Sequence, residues 1–436
     1  MSYERNMNLF LPFEGPPELV SHKTLAQKAA DYYDLLKRVN LSPEGLLIYT
    51  TKVGNEPESP LEEDYQKKYH YGYKSDAPFI AGLNLAMLGY KFAVTKDMDT
   101  LEVLKRFLKG FEMLGKASGV PGLWVRDIIP VEGFVPGECH GIWVPSPVYK
   151  HYMMRIDVSR DQYHGVLYGI GVLWRTVFDP AVRRILKNLI RECADFLMKN
   201  NYQIIDIFGK PTKHSMMWGW YGPVPVRTGA ASLAIIKLAA VMTFQEKYQK
   251  EYRRLCKFPK NYYFASTRGF YDFTWFNRTN CNNQNMSYMS LYTLAGHETD
   301  PDLLPGYISA MLRQSRFTDS FTNPFWMYAQ MAFWNKDQDK INDCMLMLNS
   351  FPDQKIWTPY SHSGRNDVER TFFRSRLGYP TSKRAVPSNW TISGFLWTND
   401  TRGLRDVTKT GYRDSPIDYL LAYWMGRYYG FLQDNL

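Results

Sequence analysis

The chain has 436 residues, 45% hydrophobic and 22% charged, a balance that excludes a disordered or fibrous protein and leaves room for two or three ordinary domains or one large helical ring. Its formal charge of +10 is spread without a Lys/Arg run of five, and no helix-turn-helix, zinc-finger or RNP-type motif can be read. The charge therefore argues for an acidic partner such as an anionic polysaccharide and against nucleic acid.

The aromatic share is 16%, from 31 Tyr, 25 Phe and 12 Trp, and favours a broad ring-lined cleft beyond what a core requires. Cys139, Cys193, Cys256, Cys281 and Cys344 are widely spaced and odd in number, so neither a zinc site nor a disulfide framework is expected, and no metal or cofactor. The first twenty residues lack a basic start followed by an apolar core and a cleavage site, and no uninterrupted apolar run approaches the roughly 20 residues that cross a bilayer. A cytoplasmic protein that does not bind membrane is the expectation; oligomeric state is left open.

In chain order, residues 1–22 read as an irregular arm with Pro12, Pro16 and Pro17, and residues 23–436 as one domain. A helix is predicted from Lys23 to Val39, with Leu25, Ala29, Tyr32, Leu35 and Leu36 on one face. After a charged loop come a helix from Asp76 to Thr95, apolar on nearly all sides, and one from Met98 to Ala117 with a charged face. An inner helix surrounded by protein is apolar all round, whereas an outer one keeps a wet face.

That couplet recurs. Asp161 to Phe178 precedes amphipathic Pro180 to Lys199, and Arg227 to Thr243 precedes charged Gln245 to Cys256. Gln284 to Gly296 precedes Asp300 to Gln314, and Asn323 to Trp334 precedes Asp337 to Leu348. Ser415 to Phe431 has no successor and the first helix no predecessor, so pairing them closes six hairpins into an all-α (α/α)6 toroid with short β-hairpins in its loops. In such a ring the inner helices run parallel, so their N-termini and the loops before them open on one face. An open α-solenoid is the alternative, disfavoured by the absence of a fixed-length repeat.

The residues before each inner helix then form a constellation. Asp76 precedes the first, and GVPGLWVRDIIP supplies Arg126 and Asp127 in a short extended segment that loops back across the cavity. The stretch RIDVSRDQYHG brings Asp157, Ser159, Arg160, Asp161, Gln162 and His164 to a loop-to-helix turn. Asp157 and Asp161 suit acid–base work on a glycosidic bond, which needs one protonated and one ionised carboxyl. Helix capping is the plain structural reading of Asp161, and a solvated turn that of Asp157.

Arg126 and Arg160 could hold a substrate carboxylate or sulfate, or else form interhelix ion pairs. YQIIDIFGKPTKHSMMWGWYG reads as a hairpin about Phe208, Gly209 and Lys210, followed by His214, Trp218, Trp220 and Tyr221. His214 could serve as a base, and Trp218 with Trp220 as a stacking subsite, while His164 suits a satisfied core position. Asn280, Asn282, Asn283 and Asn285 precede the next inner helix, and Asp414 and Asp418 repeat the loop-to-helix pattern at the last. The polar loop at 353–390, with His362, Arg365, Asp367 and Glu369, reads as a lid or as solvated loop.

The couplet from Asp76 to Ala117 closed by PGLWVRD, the RIDVSRDQYHG turn, the IIDIFGKPT hairpin leading to WGW, and the DYLLAYWMGRYYG helix together resemble the six-hairpin glycosidase-like superfamily, whose α/α toroids act on polysaccharides. The resemblance implies a glycoside hydrolase with its catalytic acids at inner-helix mouths, carried onto Asp161 and then Asp157, Asp76 and Asp418. Lyases of similar fold use a Tyr or His with an Asn that neutralises the uronate, which points to His214, Tyr221 and Asn283. A non-catalytic glycan- or protein-binding toroid is the third reading. A terpene-cyclase-like one is weakened by the lack of a DDxxD or DxDD run.

Overall fold

The computed structural model describes residues 20–53, 76–134, 140–218, 220–221, 224–225, 228–257, 281–357, 379–380, 403–404 and 411–434. Among them are twelve α-helices: α1 (Leu25–Val39), α2 (Ala77–Thr95), α3 (Met98–Lys116), α4 (Arg160–Thr176), α5 (Pro180–Lys199), α6 (Thr228–Thr243), α7 (Glu246–Cys256), α8 (Cys281–His297), α9 (Leu304–Thr318), α10 (Pro324–Met331), α11 (Gln338–Asn349) and α12 (Ile417–Tyr428).

The helices close into an (α/α)6 toroid. Each even-numbered helix packs on the next, α2 on α4, α4 on α6, α6 on α8, α8 on α10 and α10 on α12, and α12 packs back on α2. The odd-numbered helices lie outside, α3 on α2, α5 beside α4, α7 on α6, α9 on α8 and α11 on α10, while α1 covers α12 as the sequence pairing predicts. The contrast between couplet members is what burial demands. Buried positions of α2 run unbroken from Pro78 to Lys91, whereas in α5 they are confined to one face: Val182, Leu186, Leu189, Ile190, Cys193, Ala194, Phe196 and Leu197. By length and composition α2 could cross a membrane, yet 78% of its apolar window is buried in the ring.

Glycines set the closest contact in that ring. A Cβ on Gly82 would stand 2.0 Å from the Gly165 carbonyl oxygen, and one on Gly169 would stand 2.6 Å from the Gly82 oxygen. Gly89, further along α2, faces Leu173 and Thr176 further along α4, so the two helices run parallel and almost backbone to backbone. The same order holds from α8 to α10, where Tyr288 stacks on Trp326 and Tyr292 meets Phe333. Parallel inner helices put their N-termini on one face, as the sequence implies.

At the C-terminal end the ring is plugged. Tyr90 donates to Tyr292 at 2.6 Å and lies 3.3 Å from Tyr168, and Tyr292 reaches Tyr429 at 2.6 Å. These hydroxyls satisfy one another in an apolar setting, where unpaired ones would be costly. Helices α4 and α8 also touch across the ring, so its lower half is packed core.

Helix starts follow local chemistry. Thr24 and Gln27 form a capping box on α1, and Asp97, Asp179, Asn323 and Asp337 cap α3, α5, α10 and α11. The helix predicted from Asp300 begins instead at Leu304, where Pro305 supplies a first-turn residue that needs no N–H partner.

The strands are short connectors on the loops. β1 (Thr50–Lys52) pairs with β11 (Tyr412–Asp414), joining the α1–α2 loop to the segment before α12. β2 (Asp127–Pro130), β3 (Trp143–Pro145) and β4 (Tyr152–Arg155) form a sheet in the order β2-β4-β3. The predicted hairpin is present as β5 (Gln203–Ile205) and β6 (Pro211–Met216), turning at Gly209 with φ +77°. β7 (Trp220–Tyr221) pairs with β8 (Val224–Pro225), and β9 (Tyr379–Pro380) with β10 (Gly403–Leu404). His362, Arg365, Asp367, Glu369 and Asn280 lie outside the described residues.

Candidate active site

The mouth of the ring between α2 and α4 holds the densest polar network. Ser159, in extended conformation, caps α4, so Asp161 is not the cap that a lone acid before an apolar helix would suggest. The Gln162 side-chain oxygen accepts from Ser159 N at 2.7 Å and from Ser159 Oγ at 3.0 Å, and its amide nitrogen donates to Asp76 Oδ1 at 2.7 Å. Asp76 in turn stands at the N-terminus of α2 without capping it. One buried glutamine thus locks the starts of two adjacent inner helices together.

Arg126 braces the same carboxylate from the sheet. Its Nη2 donates to Asp76 Oδ1 at 2.8 Å and its Nη1 to the Asp157 carbonyl oxygen at 3.0 Å. Its own carbonyl accepts from Ala77 N at 3.1 Å, and its N–H is held by the Arg155 carbonyl at 2.8 Å. Antiparallel β2–β4 pairing sets Asp127 opposite Arg155, so residues 28 apart in sequence share one edge.

The carboxylates at this mouth differ in electrostatics. Desolvation raises the Asp76 pKa above the usual range; Arg126 opposes it, and the like charge of Asp161 adds to it. Burial also lifts Asp157, but the Arg155 fork, at 2.6 and 2.7 Å, outweighs it and leaves Asp157 below the usual value. The structure thus places Asp157 in an ion pair, and the like charge that bears on Asp76 is that of Asp161.

Asp161 Oδ2 accepts from the Asn282 amide at 3.2 Å, which ties the mouth to the start of α8. Asp127 is raised furthest, to about 7, by burial against an apolar wall; the Ile128 N–H and Arg155 oppose the shift and Asp76 adds to it. A cavity of about 30 Å3 lies against it, lined by Ile48, Tyr49, Ala77, Ile80 and Ile128 among others.

The remaining sequence candidates are distributed around this centre. Arg160 opens α4 half-buried, with no ion pair among the described residues. His214 lies exposed on β6, its backbone bridged to Ser159, which brings that strand to the same helix start. Trp218 is half-buried against the core and donates its indole N–H to the Asn201 carbonyl at 2.5 Å. Trp220 and Tyr221 form β7, and their side chains lie outside the described residues. Asn283 sits half-buried in the first turn of α8, one residue from the Asn282 that reaches Asp161.

Asp418 is fully buried and pairs with Lys355 at 2.6 Å, both side chains being closed to solvent. That pairing engages its carboxylate in the first turn of α12. His164 is buried too, with Nδ1 2.8 Å from the Arg160 carbonyl oxygen, and burial lowers its pKa to about 4.

Arg155 is the member of the network that the sequence did not single out, and Asp127 and Asn282 stood in the constellation without an assigned role. Only the Asp127–Arg155 register and the α4–α8 contact bring them in, and neither carries a local sequence signal.

Fold and mouth together define a six-hairpin α/α toroid with a carboxylate- and arginine-rich mouth. No protein-family model matches the chain, and no curated protein matches it. Solved structures are similar to it at low identity. A sugar epimerase from a ruminal bacterium is 9% identical with a TM-score of 0.45, covering 94% of this chain and 98% of that one. An unsaturated glucuronyl hydrolase specific for heparin is 8% identical with a TM-score of 0.42, covering 93% and 96%. Cellobiose 2-epimerase from Spirochaeta thermophila is 8% identical with a TM-score of 0.40, covering 93% and 97%.

Proposed function

We propose that this chain is a carbohydrate-active enzyme, a glycoside hydrolase whose acid–base pair is Asp76 and Asp161. The observation that carries the reading is that two carboxylates stand at the starts of adjacent parallel inner helices, with the charge of Asp161 helping to raise the pKa of Asp76. A carboxyl that keeps its proton nearer neutrality suits donation to a leaving glycosidic oxygen. The second carboxylate then stabilises the sugar cation or directs water to the anomeric carbon.

The other residues fit supporting roles in this reading. Gln162 and Arg126 hold Asp76 in one orientation, and Asn282 holds Asp161. The fork from Arg155 keeps Asp157 ionised as a brace behind Arg126. Positive N-terminal ends of the inner helices stabilise the ionised carboxylate between proton transfers.

The test is a glycan panel assayed with wild type, Asp161→Asn and Asp76→Asn, read both for new reducing ends and for the ultraviolet absorbance of an unsaturated uronate. New reducing ends without that absorbance, lost in both variants while the fold is retained, support the proposal. Unsaturated product assigns a lyase and rejects it, and wild-type rates in both variants reject the acid–base pair.

A further inference from the structure

Arg126 and Arg155 at the mouth are groups that could read an acidic sugar, and both are already committed inside the protein. Arg155 presents its Nε and Nη2 edge to Asp157, the parallel two-bond geometry with which a guanidinium takes a carboxylate. The Asp157 carboxylate therefore occupies the position that the carboxylate of a uronic acid would need. Arg126 divides its two terminal nitrogens between Asp76 Oδ1 and the Asp157 carbonyl. Arg126 and Arg155 side chains are only 18% and 11% exposed, so neither has a free face to offer.

We propose that the sugar bound at this mouth is neutral, and that Asp157 acts as a built-in occupant of the Arg155 fork that turns away uronates. The inference rests on the reading of Asp76 and Asp161 as a sugar-processing pair and adds to it the class of substrate. A uronate drawing Arg126 to itself would take from Asp76 the cation that opposes its desolvation and the charge of Asp161. A uronate drawing on Arg155 would displace Asp157 and bring a further carboxylate to a mouth that already holds Asp76, Asp127, Asp157 and Asp161. Rejection through a filled and charged pocket discriminates more sharply than a missing contact.

The experiment uses matched pairs of glycosides that differ only at C6, hydroxymethyl in one member and carboxylate in the other. They are assayed for kcat/KM and by calorimetric binding at low and high salt, with wild type, Asp157→Ala and the shape-preserving Asp157→Asn. Wild type is expected to prefer the neutral member by at least about tenfold. The anionic member should improve, or stay flat, as salt rises, because screening relieves repulsion. Emptying the fork with Asp157→Ala should shift the preference by about tenfold toward the anionic member, and Asp157→Asn should shift it the same way.

Three results overturn the proposal: wild type favouring the anionic member, anionic binding that weakens with salt, or a preference that neither variant moves. Turnover of an anionic substrate overturns this inference and leaves the Asp76–Asp161 reading standing. A protein that neither turns over nor binds any member overturns both.

Discussion

Gln162 donates to Asp76 Oδ1 at 2.7 Å while its carbonyl end accepts from the backbone and hydroxyl of Ser159, so one side chain fixes the start of α4 and aims the carboxylate at the start of α2. The relationship places an interior polar network where the toroid opens, which is why loss of one member should be felt at both helices.

Gln162→Leu removes the donor to Asp76 and the acceptor from Ser159, and should cost about 1–2 kcal/mol of stability. Because a donor to the ionised form lowers a carboxyl pKa, its loss moves the Asp76 pKa further up. The basic limb of a pH–rate profile, which deprotonation of the acid Asp76 sets, should shift upward, and an unmoved limb in a folded variant would count against the role given to Gln162.

Asp161→Asn and Asp76→Asn should each reduce kcat by about 10²–10⁴ with the far-ultraviolet circular dichroism unchanged. The assay is turnover of a glycoside identified by the panel. Rates within a few-fold of wild type would dismiss these two as the working acids.

Lys355 and Asp418 form an ion pair with side chains 3% and 0% exposed. Removing one partner leaves an uncompensated charge, so Asp418→Asn or Lys355→Met should cost about 3–5 kcal/mol in chemical denaturation. The double replacement Lys355→Met/Asp418→Leu should recover most of that loss. If it also keeps activity, Asp418 is a structural residue; if it is folded and inactive, the sequence-based expectation of a catalytic Asp418 stands.

Asp127 carries a pH signature. Its folded pKa of about 7 lies above its ordinary value near 4, so between those values the folded state holds a proton that the unfolded state has released. Stability then falls as pH rises through this window, by up to a few kcal/mol. His164 and His297, each lowered to about 4 by burial, work oppositely, since the unfolded chain takes up their protons as pH falls below about 6.5. Comparison of wild type with Asp127→Asn isolates the aspartate: the variant should gain relative stability from pH 5 to pH 8, and a constant difference would refute the shift.

Gly82→Ala would drive a Cβ to 2.0 Å from the Gly165 carbonyl oxygen, a backbone contact that no rotamer relieves. The cost should reach about 3 kcal/mol or more, because α2 and α4 must separate. A melting temperature unchanged in Gly82→Ala would contradict the close packing of these helices.

Sequence periodicity was enough to determine the ring. All-round apolar α2 beside one-faced α3 told inner from outer helices, because burial on every side tolerates no wet face, and two orphan helices at the ends could only complete the circle by pairing. It also placed Asp76, Asp161 and Gln162 at helix mouths. What it could not contain was which acid meets which cation. The Arg155 fork on Asp157, the Arg126 bridge to Asp76 and the Lys355 pairing of Asp418 depend on strand register and on loops far apart in the chain. Charge partners act over a few ångströms in space, whereas local sequence fixes only the direction of one element, so the chemistry of each carboxyl was decided by tertiary structure.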